Sequence, residues 1–284
     1  MTGGWSWDPS LYGGSAAYYA RGGRVAYPAG LADALAAAAR LDRSGRLLDV
    51  GCGPGSLTLP LAPRFAEGTG IDADPDMLTE AARLAAEAQV TNVTWRQLRG
   101  EDLPAGLGTF RMVTFAQSFH WLDRSRVAAA AHRMLDDGGT CVHVHATTHE
   151  GTATERVLVH PQPPREAIAE LVRRYLGPTR RAGRGALPDG TPGGEDAIYR
   201  AAGFRGPDRL TVPGRVVTRT ADDVVASVFS LSSSAPQLFG GRFAAFEAEL
   251  RQLLEGASPT ALFSEYHREI AVDLWRTDRV RGRR

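Results

Sequence analysis

Leu47-Leu48-Asp49-Val50-Gly51-Cys52-Gly53-Pro54-Gly55 is the stretch on which the reading of the fold turns. Arg46–Val50 is short, apolar and β-compatible, as a buried strand should be. Three alternate glycines follow, and then Ser56–Leu61, which can open a helix. Strand, glycine turn and helix make a nucleotide-binding first crossover. A dinucleotide site has G-x-G-x-x-G, with the pyrophosphate seated on a helix N-terminus. Here Gly51, Gly53 and Gly55 are two apart, and Ser56 stands in place of the third glycine. Asp49, at the strand's C-terminal end, is badly placed for a phosphate and well placed for an ammonium group. The site reads as one for a small, amino-bearing nucleoside without phosphates.

The run is similar to the first motif of the class I S-adenosylmethionine-dependent methyltransferases, and the resemblance continues in order. Gly70–Leu78 resembles the second motif, an acid closing strand 2, and Gly100–Pro104 the "AEDLP" turn after strand 3. Phe110–Trp121 resembles strand 4 with its "FHW" exit, and Arg133–Thr140 the "LxPGG" approach to strand 5. Tyr18–Pro28 resembles the "YYxxYRPxYP" segment of the trans-aconitate type (methyltransferase type 11), which closes over the cofactor. Val25 and Ala26 replace its prolines, Arg99 stands where many relatives carry an adenine-binding Asp, and Arg111 where the family usually has Asp.

The resemblance implies an α/β, doubly wound, Rossmann-like fold. Its seven-stranded sheet has the order 3-2-1-4-5-7-6, with the last strand antiparallel and an insertion covering the substrate. It divides the chain into an arm or lid (1–28), a cofactor-binding core (29–146), the insertion (147–208) and the C-terminal part of the sheet (209–284). S-adenosyl-L-methionine is the implied cofactor. The residues implied to hold it are Tyr19, Arg24, Asp49, Gly51, Gly53, Asp72, Ala73, Met77, Gly100, Glu101, Gln117 and Trp121. Asp72 lies at the spacing of the acid that binds a ribose hydroxyl pair. Met77 reads equally as an adenine contact and as an ordinary core residue. The aromatic-rich arm reads equally as a lid and as a segment packed on the sheet edge.

Methyl transfer from a sulfonium is an in-line displacement, so the protein mainly aligns donor and acceptor. A general base helps when the acceptor's proton has a high pKa. His120, after strand 4, is the first candidate, either as base or as a positioning group with Trp121. His145 and His149 come next. His143, His145 and His149 also spell H-x-H-x-x-x-H, but no cysteine or acid apart from Glu150 has the spacing to complete a ligand set, and no metal is expected.

Leu31–Leu41, Met77–Ala88, Arg126–Leu135, Arg165–Leu176, Asp222–Leu231 and Phe243–Leu254 read as helices. Arg209–Thr218 and Phe263–Trp275 each read as a single strand. Ahead of both, Thr147–Arg209 is a loop-rich stretch with Pro161, Pro163, Pro164, Pro178, Pro188 and Pro192.

All 33 basic residues are arginine, against 32 acids, for a net charge of +1, which argues against a nucleic-acid-coating surface. Hydrophobic residues make up 43%, enough for a substantial core, while no run approaches membrane-spanning length. With no signal pattern and two cysteines expected in the core, Cys52 and Cys141, a cytoplasmic location is expected. The function expected is methyl transfer to a small molecule, an oxygen nucleophile of a secondary metabolite, with no nucleic-acid or membrane partner and an oligomeric state the sequence does not encode. RNA or protein methylation, and a non-catalytic S-adenosylmethionine-binding regulator, are the alternatives.

Overall fold

The computed structural model describes residues 12–178, 181–182, 185–186 and 193–277. Trp5 and Trp7 of the arm, Arg180, Arg184, Pro188 and Pro192, and the basic tail from Arg279 lie outside the described residues. The chain divides into two compact units, one drawn from 27–146, 191–212 and 270–284, the other from 1–26, 147–190 and 213–269.

The first unit contains β1 (Arg46–Val50), β2 (Glu67–Asp72), β3 (Val93–Gln97), β4 (Phe110–Ala116), β5 (Leu135–His145), β6 (Arg205–Val212) and, late in the chain, β9 (Ile270–Arg276). These seven make one sheet in the order β3-β2-β1-β4-β5-β9-β6. The first five run parallel, and β9 runs antiparallel to both β5 and β6. Its central strands are buried on both faces, as helix-covered parallel strands must be. Leu48, Val50, Val113 and Phe115 face one apolar layer with Val127 and Met134 of the helix Arg124–Met134. Leu47, Met112, Val142 and Val144 face the other, with Leu31 and Leu35 of the helix Ala29–Ala38. Alternation along β5 thus sends Cys141, His143 and His145 to the face opposite Val142 and Val144.

The helix Pro75–Glu87 starts where its sequence says it should. Asp74 accepts from the backbone N–H groups of Asp76 and Met77, and Pro75 occupies the first helical position. A further helix, Glu195–Ala201, was not anticipated; its Tyr199 is fully buried between Phe119 and Trp275.

The second unit holds β7 (Arg215–Thr220) and β8 (Leu262–His267), paired antiparallel as a separate ribbon, besides a two-residue ladder of Arg181–Ala182 with Gly185–Ala186. The two late strands read from sequence are therefore each two strands. One breaks at Pro213-Gly214 and the other at Arg268-Glu269, and in each case the halves join different units. Helices Arg165–Leu176, Ala221–Phe229 and Phe243–Ala257 enclose Phe229, Phe239, Phe246 and Phe263. So the expected C-terminal part, 209–284, is not one sheet segment: 213–269 belongs with the unit of the insertion.

At the centre of this unit lies a buried ion cluster. Arg219 is 2% exposed and Glu265 3%, and their side chains meet at 3.2 Å. Arg165 closes on the same carboxylate at 2.8 Å, while Arg219 also donates to the carbonyls of Gly22, His149 and Asp223. The described arm is held here too. Ser15 Oγ donates to Phe229 O, Tyr18 lies 5.0 Å from the Phe229 ring, and Val25 N–H donates to Thr148 O. Its partner is a helix and a loop of this unit. No helix among the described residues is long and apolar enough to cross a membrane.

Candidate functional site

The glycine turn after β1 adopts three left-handed residues, with φ of 66° at Gly51, 53° at Gly53 and 82° at Gly55. Two of these glycines are required by packing. A Cβ on Gly51 would lie 2.5 Å from Ser118 Cβ, and one on Gly55 would lie 2.8 Å from the Trp95 ring. Gly53 differs, because nothing stands within 4 Å of where its Cβ would be. Its backbone borders open space.

Asp72, at the end of β2, faces that opening. Its Oδ2 accepts from Gly53 N–H at 2.8 Å and its Oδ1 from Asp74 N–H at 3.0 Å. Burial pushes its pKa up to about 6, against the lowering by those two N–H donors. Each oxygen retains acceptor capacity beyond the backbone bond it already takes. Next to it, Ala73 O accepts from Gln97 Nε2 at 3.3 Å.

Asp49 is 1% exposed, and its two oxygens are engaged by Thr58 Oγ1 and Thr114 Oγ1, each at 2.6 Å. Burial raises its pKa while the threonine hydroxyls pull it back. The carboxylate expected to meet an ammonium group thus braces the turn from within, joining β1 to β4 and to the helix that starts at Thr58. Thr58 and Thr114 were not singled out in the sequence, where nothing marks a threonine as the partner of a buried acid.

Met77 is 4% exposed on the inner face of its helix. Gly100 is buried, and a Cβ there would press on Leu122 and Val50 at 3.1 and 3.3 Å. Glu101, 5% exposed, accepts Asp123 N–H on Oε1, while Oε2 has no hydrogen-bond partner among the described residues and sits 3.7 Å from Arg99 Nε. Arg99 therefore stands beside Glu101.

After β4 the rim of the sheet is stitched together. Gln117 holds a left-handed φ of 60°, rare for a residue with a side chain, and its Nε2 donates to Val144 O on β5. Ser118 Oγ donates to Val50 O on β1. His120 and Trp121 follow in a short turn with rings 4.8 Å apart.

The histidines of β5 divide in role. Burial, with the nearby His145, His120 and Arg124, pushes the His143 pKa down to about 3, so its ring is neutral at ordinary pH. It packs against Phe119 and Tyr199. His145 is more open, and its Nε2 meets Asp273 Oδ2 at 3.0 Å. Asp273 Oδ1 accepts from Arg209 Nε at 3.0 Å. Asp273 and Arg209 were missed in the sequence; the available signal was a lone acid inside Ile270-Ala271-Val272-Asp273-Leu274-Trp275, an otherwise apolar strand.

Tyr19, Arg24 and His149 belong to the second unit. Arg24 lies 4.4 Å over the Tyr19 ring and donates to Ser230 Oγ and Ser230 O. No set of three or more His, Cys, Asp or Glu able to hold a metal occurs among the described residues.

Part of the chain that carries this geometry is similar to known proteins. Residues 47–139 match the family described as "Methyltransferase domain". An uncharacterized methyltransferase of Mycobacterium tuberculosis is 35% identical over 133 residues, 46% of this chain and 51% of that protein. A ubiquinone biosynthesis O-methyltransferase of Methylococcus capsulatus is 38% identical over 97 residues, 34% of this chain and 40% of that protein. The chain thus spans about half the length, or less, of these curated relatives. Among solved structures, the YcgJ protein of Bacillus subtilis aligns over 87% of this chain and 98% of its own, with a TM-score of 0.50 at 18% identity, a likeness of fold. The matched segment, from β1 through the turn into the core of β5, is similar to a methyltransferase domain.

Proposed function

We propose that the chain transfers the methyl group of S-adenosylmethionine to a hydroxyl oxygen of a small molecule, with His145 as the general base. The observation that carries the reading is the His145–Asp273 pair at the C-terminal end of β5. Ligands of open α/β sheets bind at that edge.

The cradle suits the cofactor on one structural count above all: Gly53 leaves open space at the turn, and the Asp72 carboxylate is anchored beside it by two backbone N–H groups. When bound, S-adenosylmethionine supplies a methyl group activated by its sulfonium charge. Asp72 would accept the ribose hydroxyls, and Gly51, Gly53 and Ala73 would give backbone approach. Gly100, Glu101 and Met77 would border the adenine, with Glu101 Oε2 as the acceptor still open there. Asp49 would set the turn. Gln117, Trp121 and His120 would line the rim and position the acceptor. With Nε2–H donating to Asp273, His145 keeps the Nδ1 lone pair to take the acceptor's proton, and the Asp273 carboxylate stabilises the imidazolium that forms.

An oxygen acceptor is supported by the O-methyltransferase named among the relatives. The near-neutral charge supports a small molecule over nucleic acid. Cys52 and Cys141, both free and buried, suit a reducing cytoplasm. The test is release of S-adenosylhomocysteine with a library of phenols and aliphatic alcohols, followed by mass spectrometry of the product. Methylation at nitrogen or carbon alone, or no turnover with any acceptor while the cofactor binds, would refute it.

A further inference from the structure

The second unit contains a cavity of about 350 Å³, in the size range of small-molecule sites. Ile168, Val172 and Leu176, one face of the helix Arg165–Leu176, form an apolar wall with Val228 and Leu231. The charged side chains on its lining are already engaged. Each of the three guanidinium nitrogens of Arg165 donates within the protein, to Glu265, Ser227 or His149 O. Arg173 bonds Glu170, and Glu150 lies 3.3 Å from His149 Nε2. Burial holds the His149 pKa below its ordinary value, which keeps the ring neutral at neutral pH.

Among the polar atoms lining the cavity, Ser234 stands out. It is 2% exposed, and its hydroxyl hydrogen goes to Val228 O at 2.6 Å. What the oxygen retains is acceptor capacity. We propose that this cavity binds a neutral, mostly apolar small molecule that donates a hydroxyl hydrogen bond to Ser234 Oγ. A charged ligand would lose its hydration, and the Arg165 guanidinium on the lining is already turned to Glu265, Ser227 and His149 O. The proposal concerns the second unit alone and goes beyond the methyl-transfer reading, on which it does not depend.

Calorimetric titration of the full chain with 1-naphthol, 1-methoxynaphthalene and 1-naphthoate tests it. Loss of the donor hydrogen or gain of a charge should each weaken binding by about tenfold. Ala169 is exposed on the cavity lining, so Ala169→Trp should fill the space without disturbing the core, abolishing 1-naphthol binding and sparing S-adenosylmethionine affinity. Ser234→Ala should bring 1-naphthol down to the level of its methyl ether. The proposal is overturned if naphthoate binds as well as naphthol, if naphthol does not bind, or if neither variant changes its affinity. A chain that binds S-adenosylmethionine but not naphthol loses this site alone; one that binds naphthol but not the cofactor loses the methyl-transfer reading instead.

Discussion

His145 Nε2 lies 3.0 Å from Asp273 Oδ2, across the antiparallel pairing of β5 with β9. Ala271 is directly opposite His145 and Asp273 opposite His143, so the contact is a diagonal one. Tertiary pairing alone brings together two groups 128 positions apart. Replacing His145 with Gln should lower kcat about 100-fold or more, the usual range for loss of a general base. Asp273→Asn should lower kcat, with cofactor affinity unchanged. His120→Gln should act mainly on the acceptor's KM. A near-normal kcat for His145→Gln with a large loss for His120→Gln would transfer the base role to His120.

The state of Asp72 should govern cofactor binding below neutrality. Its folded pKa, about 6, is above the ordinary carboxylate value, so it holds its proton longer folded than unfolded. The carboxylate form is the better acceptor for a hydroxyl pair, and S-adenosylhomocysteine affinity should fall as pH drops through about 6. For the same reason Asp72 opposes stability above its folded pKa, and that opposition fades as pH falls from about 6 towards 4. Asp72→Asn should therefore melt higher than the parent at pH 7.5 without ligand, while binding the cofactor at least about tenfold more weakly. Calorimetry and thermal melts across pH 5–8 report both; an affinity flat over that range would exclude the role.

Gly53→Val should separate binding from folding. The position is left-handed and open, so a branched side chain strains the backbone by about 1–2 kcal/mol and projects into free space. The domain should fold and lose its cofactor. At Gly51 the same change strikes Ser118 and should compromise the fold itself. Circular dichroism with ligand titration distinguishes the two, and equal cofactor affinity in Gly53→Val and parent would remove the cradle from the binding site.

Glu265 should be the most sensitive ionic position of the second unit. Burial raises its pKa, but Arg165, the Gly151 N–H and Arg219 outweigh that and leave it lowered. A lowered carboxylate stabilises the fold above its unfolded pKa, and that contribution is lost as pH falls through the folded value. Glu265→Gln would leave Arg219 buried without its counter-charge, at a cost of about 3–5 kcal/mol. Denaturant unfolding should show the loss at pH 7 and a smaller difference below pH 4. An unchanged midpoint at pH 7 would mean the arginines find other partners.

The arm should behave as structure. Ser15, Tyr18 and Val25 are bonded or packed within the second unit, and a Cβ on Gly23 would strike the Tyr18 and Ala226 carbonyls at 2.2 and 2.7 Å. Amide exchange at Tyr19 and Val25 should already be slow without cofactor and change little on adding S-adenosylhomocysteine. Exchange that is fast alone and slow with ligand would restore the lid.

What the sequence determined by itself was everything carried by local chemistry. Apolar Arg46–Val50, the positive-φ glycines, the Asp74-Pro75 helix start and the spacing from Gly51 to Asp72 each constrain a few neighbouring residues. Together they were enough for the first five strands and the cradle. The sheet order 3-2-1-4-5 follows from the resemblance those motifs carry, and the observed sheet agrees. Tertiary structure decided what alternation cannot encode: that Arg205–Val212 and Arg215–Thr220 pair in different sheets, as do the two halves of Leu262–Arg276. A strand's period states which face a residue takes and leaves its partner strand open. Asp49 shows the same limit within the motif itself. Its position was legible, yet only the fold brings Thr58 and Thr114 onto its two oxygens, because a buried carboxylate takes whichever donors long-range packing delivers.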